Sequence, residues 1–203
     1  MTRDGAKSGI VQNCKRFSNP QSPVSNPQSL MQDLKLTDYI RGTYDFKPGI
    51  YFYDITPLLA APEAFRLAVV EMANPFRREK IDVVAAAEAR GFIFAAPVAL
   101  ELNASLVPIR KPGKLPFVTQ SLTYDLEYGS DTLEIHADAI PPGAKVLVVD
   151  DLLATGGTVE ACCRLVEQVG GKVVGCSFLI ELAGLKGAER ISQYKTVSLV
   201  KYE

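Results

Sequence analysis

Apolar positions along the chain fall into short blocks separated by polar punctuation. Ile81–Ala87, Ser105–Ile109, Val146–Val149 and Lys172–Leu182 are rich in aliphatic residues and bounded by turn formers. Runs of this length, without alternation, predict strands buried on both faces. Helical spacing lies between them. Phe65, Ala68, Val69, Met72 and Phe76 recur at three- and four-residue intervals, predicting a helix over 62–78. Further helices are expected over 92–102 and from Thr158 to Val169, where Gly170-Gly171 stops the second.

The remaining segments are shorter. Leu30, Leu34, Leu36 and Ile40 suggest a short helix, Phe46-Lys47-Pro48-Gly49 a turn, and Ile50–Tyr53 an extended piece leading into a helix at Asp54–Pro57. Leu133–His136 reads as a short strand, Pro141-Pro142-Gly143 as a turn, Gly184–Ile191 as a helical turn and Thr196–Tyr202 as the last strand. Strand, loop, helix and strand repeat, which predicts an α/β fold with a parallel sheet and right-handed crossovers. Residues 112–129 break that rhythm. They carry Pro112 and Pro116, begin basic and end acidic and aromatic. Connections this long in a compact domain often serve as functional lids. Residues 1–29 are polar, with Pro20, Pro23 and Pro27, and are expected to form a flexible extension to a single domain over 30–203.

Composition narrows the function classes. Lys plus Arg (22) nearly balances Asp plus Glu (23), and a net charge of −1 offers no electrostatic reason to bind nucleic acid or an anionic membrane. No apolar run approaches the roughly 18 residues of a spanning helix, and no apolar leader follows Met1. Cys14, Cys162, Cys163 and Cys176 form no CxxC pair, which fits a reduced, cytoplasmic compartment. With His136 as the only histidine, a histidine-based triad or zinc site is hard to build.

Chemistry is concentrated where predicted strands end. In open parallel sheets, ligands bind beyond the carboxyl ends of the strands. One end carries Glu88-Ala89-Arg90-Gly91, a second Arg110-Lys111, and a third Asp150-Asp151 followed by Ala154-Thr155-Gly156-Gly157-Thr158. The last loop is small and hydroxyl-bearing and opens a helix, so its backbone N–H groups can close around a phosphate. The paired acids beside it suit hydroxyls or a metal-bound polyanion. The combined set suits a substrate with a phosphate at one end, a pyrophosphate at the other and a polyol between.

The stretch VLVVDDLLATGGT resembles the phosphoribosyl pyrophosphate (PRPP) motif of type I phosphoribosyltransferases over its whole length. With FKPGIYFYDITPLL, AAAEARGFIFAAPVA, PIRKPGKLP, YDLEYG and LIELAGLKGAERI, the chain is most similar to the adenine-using members, from about Leu34 to Glu203. The resemblance implies a central, mostly parallel sheet flanked by helices, a small N-terminal hood over about residues 30–60 and a flexible lid over about 112–129. It implies transfer of the 5-phosphoribosyl group of PRPP to adenine, giving AMP and pyrophosphate in purine salvage. Ala154 to Thr158 would hold the 5-phosphate, and Asp150 and Asp151 the ribose hydroxyls. Glu88, Ala89, Arg90 and Gly91 would form the pyrophosphate loop, joined by Arg110, Lys111 and Lys114, at least one of them reaching across a homodimer interface. Glu127, on the lid beside Tyr128, would handle the purine N7 proton, with Arg90 near both pyrophosphate and base. Tyr51, Tyr53 and Leu182 would border the purine. Magnesium would arrive with the pyrophosphate rather than on direct protein ligands. Tyr53 departs from the pattern, FYDI standing where the family usually has FRDI. A phosphoribosyltransferase for another base, or a PRPP-sensing transcription regulator, are the alternatives. The second lacks room for a DNA-binding module.

Overall fold

The structure, a computed structural model, describes residues 34–47, 50–125 and 129–203, with backbone alone at 43–47, 50, 51 and 125. The expectations for residues 1–33, for the turn at Pro48-Gly49 and for Glu127 and Tyr128 lie outside the described residues.

Five parallel strands form the centre: β3 (Val83–Ala87), β4 (Ser105–Ile109), β7 (Lys145–Leu153), β8 (Lys172–Leu182) and β9 (Lys195–Tyr202), in the order β4-β3-β7-β8-β9. Side chains alternate between two cores, as a pleated strand requires. Val83, Ala85, Val146 and Val148 face one core, with Cys162, Leu165 and Val166 of α4 (Gly157–Gln168). Val84, Ala86, Leu147 and Val149 face the other, with Ala68 and Met72 of α2 (Pro62–Ala73) and Phe94 and Val98 of α3 (Gly91–Leu102). Helices on both faces explain why the central strands read as continuous apolar runs. The expected α/β fold with a parallel sheet is present. Among the described residues no helix is long and apolar enough to cross a membrane.

Two antiparallel hairpins flank this sheet. β1 (Arg41–Lys47) pairs with β2 (Ile50–Asp54), ahead of α1 (Thr56–Ala60). β5 (Thr119–Asp125) pairs with β6 (Ser130–His136), directly opposing Thr119 to His136 and Leu122 to Leu133.

Several elements differ from expectation. The helix expected over 62–78 ends at Ala73, followed by a single 3₁₀ turn, Asn74–Phe76. Pro75 supplies no N–H to continue the α-helical ladder, although Asn74 before it still has helical φ −50° and ψ −45°. Leu36–Tyr39 is a 3₁₀ turn, not part of a longer helix. Phe46 and Lys47 belong to β1 rather than to a turn. Residues 112–129 are not a continuous loop: β5 occupies 119–125, burying Tyr124 and half-burying Leu122 against one core. The strand expected over 133–136 begins at Ser130. β7 also runs past the apolar block, so Asp150 and Asp151 sit within the strand rather than after it. Asp150 faces Phe178 in the neighbouring strand. The segment after β8 is a 3₁₀ turn (Ala183–Leu185) followed by α5 (Gly187–Arg190).

Candidate active site

The carboxyl ends of β3 and β7 open into a cleft of about 290 Å³ lined by Glu88–Arg90 and by Asp150–Val159. Two of the three strand ends singled out in the sequence therefore share one cavity. The third, at Arg110-Lys111, joins it through Glu88.

The β7 end is built largely from backbone. Ala154–Gly156 connects β7 to α4, whose first turn contains Gly157 and Thr158. Gly156 has φ +83°, a conformation that side chains rarely tolerate. A Cβ there would lie 2.7 Å from the Gly187 carbonyl oxygen, and one on Gly187 only 2.2 Å from the Ala154 carbonyl. Glycine is thus needed on both sides of this contact. Arg190 of α5 also pairs with Glu160 in the first turn of α4, so the C-terminal segment props the loop from behind. The loop amides and the amino end of a twelve-residue helix give an electropositive cradle for an anion.

Beneath the cradle lie the two acids. The Asp151 N–H donates to Asp150 Oδ1 at 2.8 Å. Burial, followed by the neighbouring Asp151 charge, pushes the Asp150 carboxyl well above its ordinary range. Burial also raises Asp151, but Arg90 opposes this through a 2.9 Å ion pair from Nε to Oδ2. Two carboxylates this close and this dry resist ionising together. Gly91 fits here for a steric reason: a Cβ would stand 2.8 Å from Asp150 Oδ1.

Arg90 connects this end to the hood. Its guanidinium carbon lies 5.4 Å from the centre of the Phe52 ring, within cation–π range. Phe52 lies within the expected hood, but no individual role was expected of it. Tyr53 stacks on Tyr202 of β9 with ring centroids 4.1 Å apart, next to Leu182, which is paired with Tyr202 in the sheet. The backbone of Tyr51 lies in β2, and its side chain lies outside the described residues.

The third end is built from ion pairs. Arg110 Nη2 donates to Glu88 Oε2 at 2.8 Å, and the Lys111 N–H donates to Glu88 Oε1. The Lys111 N–H and the Arg110 guanidinium together hold the Glu88 carboxyl below its usual range. The Lys111 ammonium pairs with Asp131 on β6, and Lys114 stands exposed. The Arg110 N–H and carbonyl also bridge to Glu134, docking the β5–β6 hairpin on β4. The hydroxyl of the buried Tyr124 touches Asp131 Oδ2 at 3.3 Å and Thr158 Oγ1 at 3.2 Å, joining that hairpin to the first turn of α4. Asp131 stands in no motif of the sequence, and Tyr124, although it opens the YDLEYG stretch, was given no role there, because no local pattern shows which side chains meet across the fold.

A glycine-tight loop at a helix amino end, paired acids and a set of cations gather at the strand ends of a parallel sheet. The chain belongs to the phosphoribosyltransferase family: the phosphoribosyl transferase domain matches it over residues 59–201. Its relatives narrow this further. It is 61% identical over 172 residues to the adenine phosphoribosyltransferase of Rhodopirellula baltica, covering 84% of each chain. The crystal structure of adenine phosphoribosyltransferase from Thermoanaerobacter pseudethanolicus matches with a TM-score of 0.80 and 49% identity, over 82% of this chain and 98% of that one. The Saccharomyces cerevisiae enzyme, complexed with an imino-altritol bisphosphate and adenine, matches with a TM-score of 0.77 and 36% identity, over 85% and 99%.

Proposed function

We propose that the chain transfers the 5-phosphoribosyl group of PRPP to adenine, forming AMP and releasing pyrophosphate. The observation that carries this is the single cleft joining the Glu88–Arg90 loop to the Asp150–Val159 stretch, in a chain whose relatives are adenine phosphoribosyltransferases.

In this reading the Ala154–Thr158 amides and the Thr155 and Thr158 hydroxyls hold the 5-phosphate. Asp150 and Asp151 accept from the ribose hydroxyls. Glu88, Ala89, Arg90 and Gly91, with Arg110, Lys111 and Lys114, meet the pyrophosphate. The bond from ribose C1 to the pyrophosphate oxygen breaks, its electron pair leaving with that oxygen, and a purine nitrogen forms the new bond to C1. Charge develops mostly on the departing pyrophosphate, so the cations aimed there contribute most. Glu127 takes up the purine proton that must leave, and Tyr128 sits beside it on the lid. The part of 112–129 that lies outside β5 and carries Glu127 excludes water from the cation-like ribosyl centre. Tyr51, Tyr53 and Leu182 border the base.

Magnesium fits this donor set as an ion carried by the substrate. Among the described residues no group of three or more His, Cys, Asp or Glu could hold a metal. Magnesium needs no such cage, since it commonly keeps water and takes one or two carboxylates plus phosphate oxygens. When bound it neutralises charge on the leaving pyrophosphate.

Incubation with PRPP, Mg²⁺ and labelled adenine, guanine, hypoxanthine or xanthine tests the reading. AMP formation with little use of the other bases is expected. Conversion of another base instead would overturn the adenine assignment, and PRPP binding without any conversion would favour a sensor. We also propose a homodimer in which exposed Lys114 reaches the partner's pyrophosphate; a monomer in sedimentation would refute it. A cytoplasmic location is supported by the buried free thiols Cys162, Cys163 and Cys176, and recovery in another cell fraction would refute it.

A further inference from the structure

The four-residue chain Lys111–Asp131–Tyr124–Thr158 runs from the Lys111 ion pair to Thr158 in the lining of the cleft, and its protons can be counted. Asp131 is ionised: against its burial, the Lys111 ammonium and the Thr132 N–H hold its carboxyl below the usual range. An ionised carboxylate only accepts. The Tyr124 hydroxyl must therefore donate its single proton to Asp131 Oδ2. Tyr124 is then an acceptor toward Thr158, so the Thr158 hydroxyl spends its own proton on Tyr124. Arranged this way, Thr158 has no proton to offer a phosphate. To donate to one, it must turn away from Tyr124, and Tyr124 satisfies Thr158 Oγ1 only by withdrawing its proton from Asp131.

The other end makes the opposite demand. Lys111 and Tyr124 act on the same oxygen, Asp131 Oδ2, while the Thr132 N–H serves Oδ1 at 2.8 Å. If a pyrophosphate draws Lys111 away, Tyr124 is left as the described partner of Oδ2. With phosphate on Thr158 and Lys111 on pyrophosphate, both ends claim the one phenolic proton.

We propose that Tyr124 and Asp131 are positioning residues that make the 5-phosphate cradle and the Lys111 dock compete for the Tyr124 proton, so that filling either end weakens the other. This rests on the proposed assignment of Thr158 to the 5-phosphate and Lys111 to the pyrophosphate. It adds a coupling between two ends that a list of binding residues treats as independent. The coupling is reciprocal: AMP must weaken pyrophosphate by the factor by which pyrophosphate weakens AMP.

Calorimetric titration of the full chain with magnesium pyrophosphate, with and without saturating AMP, measures it directly. The coupling factor is the pyrophosphate Kd without AMP divided by the Kd with AMP. Tyr124→Phe keeps the buried ring and removes only the contested proton. It is expected to raise the coupling factor about fivefold or more. Asp131→Asn, which leaves Tyr124 and its ring untouched, is expected to shift it in the same direction and guards against a folding defect in the first variant. A factor that stays constant or falls in folded variants that still bind AMP and pyrophosphate singly overturns the competition alone. Wild-type protein that binds neither ligand overturns the proposed function and the competition together. A purely structural role for Tyr124 would move both single affinities and leave their coupling unchanged.

Discussion

The two ends of the proposed PRPP site are made of different materials. At the β7 end the working groups are loop amides and a helix terminus, held by a glycine contact that admits no Cβ between Gly156 and Gly187. Nothing there has to let go before an anion can bind, except the Thr158 hydroxyl. At the β3–β4 end the working groups are long cationic side chains, and three of them already hold carboxylates: Arg90 on Asp151, Arg110 on Glu88 and Lys111 on Asp131. An anion arriving there must exchange with a carboxylate. One end is preorganised by sterics. The other is poised by ion pairs that keep the cations oriented and partly neutralised. Preorganisation costs nothing at the moment of binding, whereas each exchange subtracts the strength of the pair it breaks.

Substitutions separate the two designs. The largest effect is expected from Gly156→Val, which adds bulk at φ +83° against the Gly187 carbonyl and must displace the cradle. Misplacing a binding group by about an ångström can cost roughly 10²-fold, so kcat/KM for PRPP should fall by about that factor or more. An unchanged steady-state rate would mean that the cradle is not preorganised. A smaller change is expected from Glu88→Gln. If Glu88 competes with the incoming anion for Arg110, its neutral counterpart should bind pyrophosphate roughly two- to fivefold more tightly, in keeping with a partly buried ion pair that still meets solvent. Weaker binding by calorimetry would instead make Glu88 a group that positions Arg110.

The smallest effect concerns stability. The folded state holds the Asp150 carboxyl above its ordinary value of 3.8. The folded protein therefore binds more protons than the unfolded chain, and this group's contribution falls as pH rises from 3.8 toward the raised value. Asp150→Asn removes that penalty. Its melting temperature should exceed wild type by about 2–4 °C for each 1 kcal/mol relieved when measured at pH 8, with the gain vanishing toward pH 4. A gain independent of pH would locate its cause outside the ionised carboxylate. PRPP binding should weaken in the same variant, as expected where function depends on a destabilised site.

The sequence disclosed the parts of this molecule that are local. β3, β7 and β8 were legible because strands buried on both faces concentrate aliphatic residues, and the edge strands β4 and β9, only partly buried, through their short β-branched and aliphatic runs. Arg90, Asp150, Asp151 and the Ala154–Thr158 loop were legible because strand ends carry ligands in such sheets. β1 and β5 were not legible. RGTYDFK and TQSLTYD alternate imperfectly, and neither strand belongs to the central sheet. Pro75 was outvoted by apolar periodicity that ran on to Phe76, although it is what ends the helix. The partnerships were the least visible. Arg90 with Asp151, Lys111 with Asp131, and Tyr124 with Thr158 join positions 61, 20 and 34 residues apart, as their numbers give directly. Which of several nearby acids a cation chooses depends on rotamers and burial, which no spacing rule encodes. The sequence reading also marked Tyr53 as a departure without finding its neighbour. The structure stacks it on Tyr202, a residue in no recognised motif.

That stack has a temporal consequence. Tyr53 lies in the first hairpin and Tyr202 in the last strand, so their contact closes a loop of roughly the whole domain, the slowest kind to form. During synthesis the Ala154–Gly156 loop can be buttressed as soon as α5 has emerged to press Gly187 against Gly156. The aromatic corner beside Leu182 must wait for β9. A nascent chain can therefore make the Gly156–Gly187 contact before the Tyr53–Tyr202 corner exists.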